Sequence, residues 1–149
     1  FNALSVPQVA ALLATGNAVI ALMSLMLGRY WQAVLYNPGG FGDEFRALSL
    51  PREAVLIMAA GATALWWMGP DWRVWSAVAV LPLTVVGFAL AHAYAAQTGK
   101  GVTWLTLIYV VWIVLDPAKW LWVACVVVDA FVNFRAKWST KTGTGPKDV

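Results

Sequence analysis

The stretch WRVWSAVAVLPLTVVGFALAHAYAAQ, residues 72–97, decides the fold class of this chain. Its only charged side chain is Arg73, next to its start, and the remainder is predominantly apolar. About 20 such residues in an α-helix span the hydrocarbon core of a bilayer. Pro82 lies inside the stretch and predicts a kink there. The sequence therefore predicts a transmembrane helix over residues 72–97.

Small side chains surround His92 in this helix and predict that the helix is central. Small residues let neighbouring helix backbones approach closely inside a membrane. We therefore expect His92 to face another helix of the chain, or the small-residue surface to contact another subunit. The small residues are Gly87, Ala89, Ala91, Ala93, Ala95 and Ala96.

The composition of the whole chain is typical of a membrane protein with several spans. Hydrophobic residues make up 61% of the chain and charged residues 11%, whereas a soluble domain carries about 25% charged residues. We predict an all-α, polytopic transmembrane helical bundle of about five spans over residues 1–136, followed by a flexible cytoplasmic tail over residues 137–149. The spans are predicted over residues 7–31, 51–68, 72–97, 102–115 and 118–134.

The last two predicted spans are short. A helix of about 17 residues is ~26 Å long, whereas the hydrocarbon core is ~30 Å thick. Segments 102–115 and 118–134 therefore either cross a thinned part of the bilayer or form a short hairpin that enters and returns. The charge pattern does not separate these alternatives, because both leave the C-terminus on the same side.

The basic residues predict the orientation of the bundle. Of the ten Lys and Arg residues, only Arg73 and Lys119 fall on one side of the predicted spans. Basic residues favour the cytoplasmic face, so the loop over residues 37–50 and the C-terminus are predicted to be cytoplasmic. Because the basic residues mark span ends and form no patch, nucleic acid is not an expected partner.

Aromatic side chains cluster at the ends of the predicted spans. Indole and phenol rings prefer the headgroup level of a bilayer, where the ring is buried and its polar atom is hydrated. The pattern predicts membrane anchoring with the lipid bilayer as partner, although a Trp-lined binding site on the outer face is an alternative. The predicted anchors are Tyr30, Trp31, Trp66, Trp67, Trp72, Trp75, Trp120 and Trp122.

Three polar side chains inside the predicted spans are costly in a membrane: Asn17, His92 and Asp129. His92 and Asp129 both lie near the cytoplasmic ends of their helices, and Asn133 shares the helix face of Asp129. We predict a His92–Asp129 pair. It either relays protons or binds a polar ligand, or it only joins two helices; alternatively, the two side chains reach the interface separately.

The predicted cytoplasmic loop carries an acidic pair, Asp43 and Glu44, beside Arg46. The pair is either a catalytic carboxylate pair or a solvated pair that forms salt bridges to Arg29 or Arg46. Apolar residues at helical spacing predict that residues 42–48 lie flat on the inner leaflet. The candidate polar site on this membrane face comprises Arg29, Asp43, Glu44, His92, Asp129 and Asn133.

The inventory of reactive side chains argues against enzymatic function. The chain has one His and one Cys, which cannot form a His/Cys metal cluster of usual spacing, and it lacks a phosphate-binding loop motif. No set of nucleophile, base and metal ligand emerges. We therefore expect no cofactor, no metal and no catalytic activity.

The run RYWQAVLYNPGGFGDEFRALSLP, residues 29–51, resembles the signature of an uncharacterised bacterial integral-membrane family, domain of unknown function 2232. GFALAHAYAAQTG and VVVDAFVNFRAKW resemble later parts of the same pattern. The resemblance covers the C-terminal half of a typical member. Because the chain starts with Phe1, we expect it to be part of a longer protein. The resemblance implies the bacterial inner membrane.

That family is distantly similar to the substrate-capture subunits of energy-coupling-factor vitamin transporters, which implies a bundle able to bind a small molecule. The first hypothesis is therefore transporter-like binding at the cytoplasmic side, in a cavity lined by Arg29, His92 and Asp129. The alternative is a non-catalytic accessory subunit of a larger membrane complex, without a cavity, whose Trp-rich ends and central helix contact other subunits.

Overall fold

The computed structural model describes residues 3–98 and 101–141, and every regular element among them is a helix, which confirms the all-α fold class. Several helix boundaries lie next to Pro or Gly residues that interrupt the apolar runs, because proline cannot continue the hydrogen-bond ladder. The helices are α1 (Val6–Tyr36), α2 (Gly40–Ala47), α3 (Arg52–Trp67), α4 (Pro70–Arg73), α5 (Ser76–Gln97), α6 (Gly101–Val114), α7 (Asp116–Val132) and α8 (Phe134–Lys141).

Helix α1 connects the two ends of the bundle, which we name the α4 end and the α2 end after the short helices there. At the α4 end, the Ser5 hydroxyl just before α1 donates a hydrogen bond to Asp71 Oδ1 at 2.6 Å. At the α2 end, the Tyr30 ring meets the Phe41 ring of α2 with centroids 5.9 Å apart. Helix α3 runs back to the α4 end. Trp66 near its last residue packs against Trp120 at the start of α7, which lies at that end.

Helices α6 and α7 also pass between the two ends. Gly101 at the start of α6 lies so close to Ala95 that an added Cβ would be 3.0 Å from the Ala95 carbonyl oxygen. Asp116 at the start of α7 borders a cavity together with Ser76, at the α4 end. The last turn of α7 is back at the α2 end, where Asp129 borders a cavity with residues of the α2–α3 connection.

Two of the described helices are long and apolar enough to cross a membrane, namely Val6–Tyr36 and the stretch Pro70–Gln97 that combines α4 and α5. Counting α2 and α3, which are bent by 68°, as one span makes three. The predicted count of about five spans is therefore not confirmed. Helix α6 is apolar but has 14 residues, which at 1.5 Å per residue give about 21 Å.

Helix α5 is the centre of the bundle, as its small residues predicted. It packs against α3, α7, α6, α2 and α1, and Pro82 stands inside it without ending it. The core lies where α3, α5 and α7 meet. Its buried members are Val55, Leu83, Val86, Val123 and Val126.

A tryptophan of α7 packs directly on the backbone of α5. A Cβ added at Gly87 would lie 2.1 Å from Trp122 Nε1, so only glycine leaves room for the indole ring. The Trp122 indole N–H donates a hydrogen bond to the Thr84 carbonyl oxygen at 3.2 Å. Trp122 therefore joins two helices, a role that its prediction as a membrane anchor did not include.

The segments outside the long helices contain more helix than the sequence indicated. Within the predicted loop 37–50, residues Gly40–Ala47 form α2, so residues 42–47 are helical, and their placement flat on the inner leaflet stays a prediction. The predicted tail begins as helix, because α8 continues to Lys141. The remainder of that predicted tail, residues 142–149, lies outside the described residues.

Candidate functional site

A cavity of about 410 Å³ lies at the α2 end, between the α2–α3 connection and the junction of α7 with α8. Its polar lining groups converge from two directions, Ser49 from the connection and Asp129, Asn133 and Arg135 from the junction. The remaining wall is apolar and is formed by Ala47, Leu50, Val55, Val86, Val126 and Ala130.

The junction of α7 with α8 positions the polar groups of this cavity. Helix α7 ends at Val132, and Asn133 adopts a left-handed conformation with φ of 48°. Asp129 is buried, and its Oδ1 accepts a hydrogen bond from the Phe134 backbone N–H at 2.9 Å. Because Asn133 interrupts the helix between them, Arg135 is brought beside Asp129 although their spacing would not place them on one helix face.

Arg135 is only partly neutralised by Asp129. Its Nη1 lies 3.7 Å from Asp129 Oδ2, which is longer than the range of about 2.7–3.2 Å for a hydrogen bond. The Arg135 Nε and Nη2 atoms are buried and find no hydrogen-bond partner among the described residues. Buried polar groups are almost always paired, so two unpaired donors of a charged group beside a cavity are the most unusual feature of this structure.

His92 does not pair with Asp129, so that prediction is wrong. Its Nδ1 lies 2.8 Å from the Phe88 carbonyl oxygen one turn earlier in α5. The ring packs edge-on against Phe45 of α2 and Tyr109 of α6, at centroid distances of 5.3 and 6.0 Å. His92 therefore faces α2 and α6, whereas Asp129 faces the end of its own helix.

The acidic pair of α2 forms salt bridges, the second of the two predicted alternatives. Glu44 receives a bidentate pair of hydrogen bonds from Arg29, and the Nε–Oε2 distance is 2.7 Å. Asp43 Oδ1 lies 2.5 Å from the guanidinium of Arg46. The two carboxylates thus have separate arginine partners, and both ion pairs are substantially exposed.

The six predicted site residues therefore form four groups rather than one, and the first of these is Asp43 with its partner Arg46. Arg29 and Glu44 line a separate cavity of about 240 Å³ between α1 and α2, Asp129 and Asn133 line the 410 Å³ cavity, and His92 lies among aromatic rings. The predicted cavity lined jointly by Arg29, His92 and Asp129 is wrong. Similar depth along two helices does not make their side chains face each other.

Sequence analysis missed Ser49 and the role of Arg135. Arg135 was read only as a topology charge, because six residues separate it from Asp129 and that spacing does not share a helix face. The signal was Asn133, since asparagine tolerates the left-handed conformation that ends a helix. Asn17, the third costly polar residue, is exposed on α1.

The aromatic residues at the α4 end surround a second cavity of about 400 Å³, lined among others by Trp66, Trp120, Asp116 and Lys119. Trp66 and Trp120 meet edge-to-face at 5.1 Å, and the Arg73 guanidinium stands 4.6 Å from the Trp66 ring centroid. The anchor assignments remain predictions. The anchor side chains that the structure leaves exposed are Tyr30, Trp31, Trp66, Trp67, Trp72 and Trp120.

The described fold defines an all-α bundle with apolar helices compatible with a membrane. No family model, curated protein or solved structure matches this chain. The resemblance to domain of unknown function 2232 therefore stays a prediction, and function is argued from the geometry of the site.

Acidification is expected to loosen α2 through Glu44. The Arg29 guanidinium, chiefly by its hydrogen bond, lowers the pKa of Glu44 below its ordinary value. A carboxylate with a lowered pKa contributes stability above its unfolded-state pKa, and this contribution is lost as pH falls through the folded-state pKa. We expect hydrogen–deuterium exchange of the α2 amides, corrected for intrinsic pH dependence, to rise about two- to fivefold over that range.

The Glu44→Gln variant is the control for this pH dependence. Its α2 amides should exchange faster already at neutral pH and show a smaller further rise on acidification. An identical pH dependence in the variant and the unmodified chain would exclude Glu44 as the responsible group.

Proposed function

We propose that this chain is a multi-pass bacterial inner-membrane protein that binds a small molecule from the cytoplasmic side, as transporter subunits do. The observation that carries the proposal is the 410 Å³ cavity in which buried Asp129 and incompletely paired Arg135 meet an apolar wall. Small-molecule sites typically have about 300–1,000 Å³, apolar walls and a few convergent polar groups. The predicted family resemblance points in the same direction.

The charges support a cytoplasmic location for this cavity. Arginines are concentrated at the α2 end of the bundle, whereas the described basic residues of the α4 end are Arg73 and Lys119. Basic residues favour the cytoplasmic side of a membrane. The arginines of the α2 end are Arg29, Arg46, Arg52 and Arg135.

A second candidate function is that of an accessory subunit in a larger membrane complex. Helix α1 buries only Ala11 and Ala33 among its 31 residues, and no described residue of α6 is buried. The outer surfaces of both helices are apolar, so lipid or another membrane protein must cover them. Contact with other chains through these surfaces is compatible with the first candidate but does not require a ligand.

Filling the cavity tests the proposed binding function. Ala130→Leu places three additional carbons at the cavity wall, whereas Ala124→Leu makes the same change at an exposed position of the same helix. We expect native mass spectrometry from mild, uncharged detergent to show a small-molecule adduct on the unmodified chain and on Ala124→Leu. The adduct should be absent from Ala130→Leu, because the added side chain occupies the ligand volume.

Two outcomes would contradict the binding function. An adduct equally retained by Ala130→Leu would place the ligand elsewhere. Recovery of all three forms without an adduct, in a stoichiometric complex with other chains, would favour the accessory-subunit function. His92→Ala should retain the adduct, since His92 does not line the cavity.

A further inference from the structure

We infer that the 410 Å³ cavity binds the oxyanion of an amphipathic ligand, a phosphate or a carboxylate attached to a hydrocarbon group. The inference rests on the proposed binding function and names the ligand class. The buried Nε and Nη2 atoms of Arg135 lack acceptors among the described residues. An arginine fork matches the geometry of a phosphate or carboxylate, which accepts two parallel hydrogen bonds.

The other polar groups of the cavity add further donors. Asn133 uses its side-chain oxygen to accept a hydrogen bond from the Ala136 N–H at 3.3 Å, so its amide N–H groups remain for a ligand. The Ser49 hydroxyl lines the cavity from the opposite side. The cavity lining therefore contains three donor groups, and an oxyanion can accept hydrogen bonds from all of them.

The charge at this end is compatible with an anion despite Asp129. One Asp129 oxygen is used by the Phe134 backbone N–H, and the other lies beyond hydrogen-bond distance of Arg135. Asp129 thus holds the guanidinium in place without using its donors. Arg52 adds a second positive charge next to the cavity, because its Nε–H donates a hydrogen bond to the Ala130 carbonyl oxygen at 3.4 Å. Arg135 lines the cavity, and ligand binding requires its guanidinium to rotate so that the buried donors face the ligand.

The apolar part of the cavity wall determines the chemistry of the ligand beyond its oxyanion. Leu50, Val55, Val86 and Val126 also line the cavity. A hydrocarbon group packed there is removed from water, which favours binding. An amphipathic anion comes either from the bilayer, as a phospholipid, or from the aqueous phase, as an organic phosphate or carboxylate, and both present the same chemistry to Arg135.

Titration with octyl phosphate tests the inference, with octanol as the matched probe that lacks the anion. We expect isothermal calorimetry in uncharged detergent to show octyl phosphate binding to the unmodified chain more tightly than octanol. Arg135→Gln should weaken octyl phosphate binding about 10- to 100-fold, because hydrogen bonds to a charged group are lost. Octanol binding should not change.

A second variant keeps the test decisive if Arg135→Gln does not fold. Ser49 is exposed and outside the helices, so Ser49→Ala should fold normally and weaken octyl phosphate binding about threefold to tenfold. Ser24→Ala, an exposed serine of α1, is the matched control and should bind unchanged. Equal binding of octyl phosphate and octanol, or binding unaffected by both Ser49→Ala and Arg135→Gln, would overturn the inference.

The experiment also separates the ligand class from the binding function. If an adduct depends on Ala130 but octyl phosphate does not bind, the cavity is a binding site and the oxyanion inference fails alone. If neither the adduct nor octyl phosphate binding is seen, both the binding function and the oxyanion inference fail.

Nanodiscs of phosphatidylcholine with and without phosphatidic acid distinguish a ligand from the bilayer from a ligand from the aqueous phase. Phosphatidic acid retained by the unmodified chain but not by Arg135→Gln assigns a lipid, and octyl phosphate binding without lipid retention assigns an aqueous ligand.

Discussion

Gly87→Leu is expected to lower the free energy of unfolding by about 3 kcal/mol, because it forces side-chain atoms into the volume of a packed indole ring. Even a single Cβ at this position would lie 2.1 Å from Trp122 Nε1. The ring cannot move freely, since its N–H is bonded to the Thr84 carbonyl oxygen and its face packs on Phe88 at 5.1 Å. Thermal unfolding in detergent, followed by far-UV circular dichroism, measures the effect.

Other helical glycines supply the control for Gly87. Nothing lies within 4 Å of a Cβ added at Gly16 or Gly61, so Gly16→Ala and Gly61→Ala should raise helix stability by about 0.5–1 kcal/mol. The double variant Gly87→Leu/Trp122→Ala should lose less than the sum of the two single losses, because the clash is absent. Simple additivity would show that the contact between α5 and α7 is not the cause.

Asp129→Ala is expected to lower the free energy of unfolding by about 3–5 kcal/mol, because it leaves a buried arginine without its counter-charge. The Asp129 and Arg135 side chains are 9% and 17% exposed, so water replaces the lost partner poorly. The substitution also leaves the Phe134 backbone N–H without its acceptor. Chemical or thermal unfolding in detergent measures the loss.

Asp43→Ala is the matched control for Asp129→Ala. It also removes the aspartate of an ion pair with arginine, but the Asp43 side chain is 80% exposed. Exposed ion pairs contribute about 0–1 kcal/mol to stability. The double variant Asp129→Ala/Arg135→Met should recover much of the stability, because an apolar pair replaces an unpaired buried charge. Similar losses for Asp43→Ala and Asp129→Ala would refute the importance of burial at the α7–α8 junction.

The helices were predictable because their signals are local. Apolar runs longer than about 15 residues and the interruptions Pro38-Gly39-Gly40 and Gly69-Pro70 define where the chain is helical. The same holds for α2, whose apolar residues recur at helical spacing although the segment follows a turn. The central place of α5 also followed from composition, since small side chains such as Gly87 allow close approach of neighbours.

The candidate site was predictable only in part. The sequence identified Asp129 and Asn133, which line the cavity, and the possibility of a salt bridge between Glu44 and Arg29, which forms. It paired Asp129 with His92, because both lie near the same end of their helices. Arg135 takes that place instead, because Asn133 ends α7 in a left-handed conformation and interrupts the helix between Asp129 and Arg135.

The sequence by itself therefore determined the all-α fold class, the course of the long apolar helices and the position of each polar group along them. Depth follows from position, at 1.5 Å per residue. Only the tertiary structure decided which side chains face each other, because the rotation of one helix relative to its neighbours depends on how both surfaces pack. The contact of Trp122 with Gly87, the separation of His92 from Asp129 and the unpaired donors of Arg135 all arise from that packing.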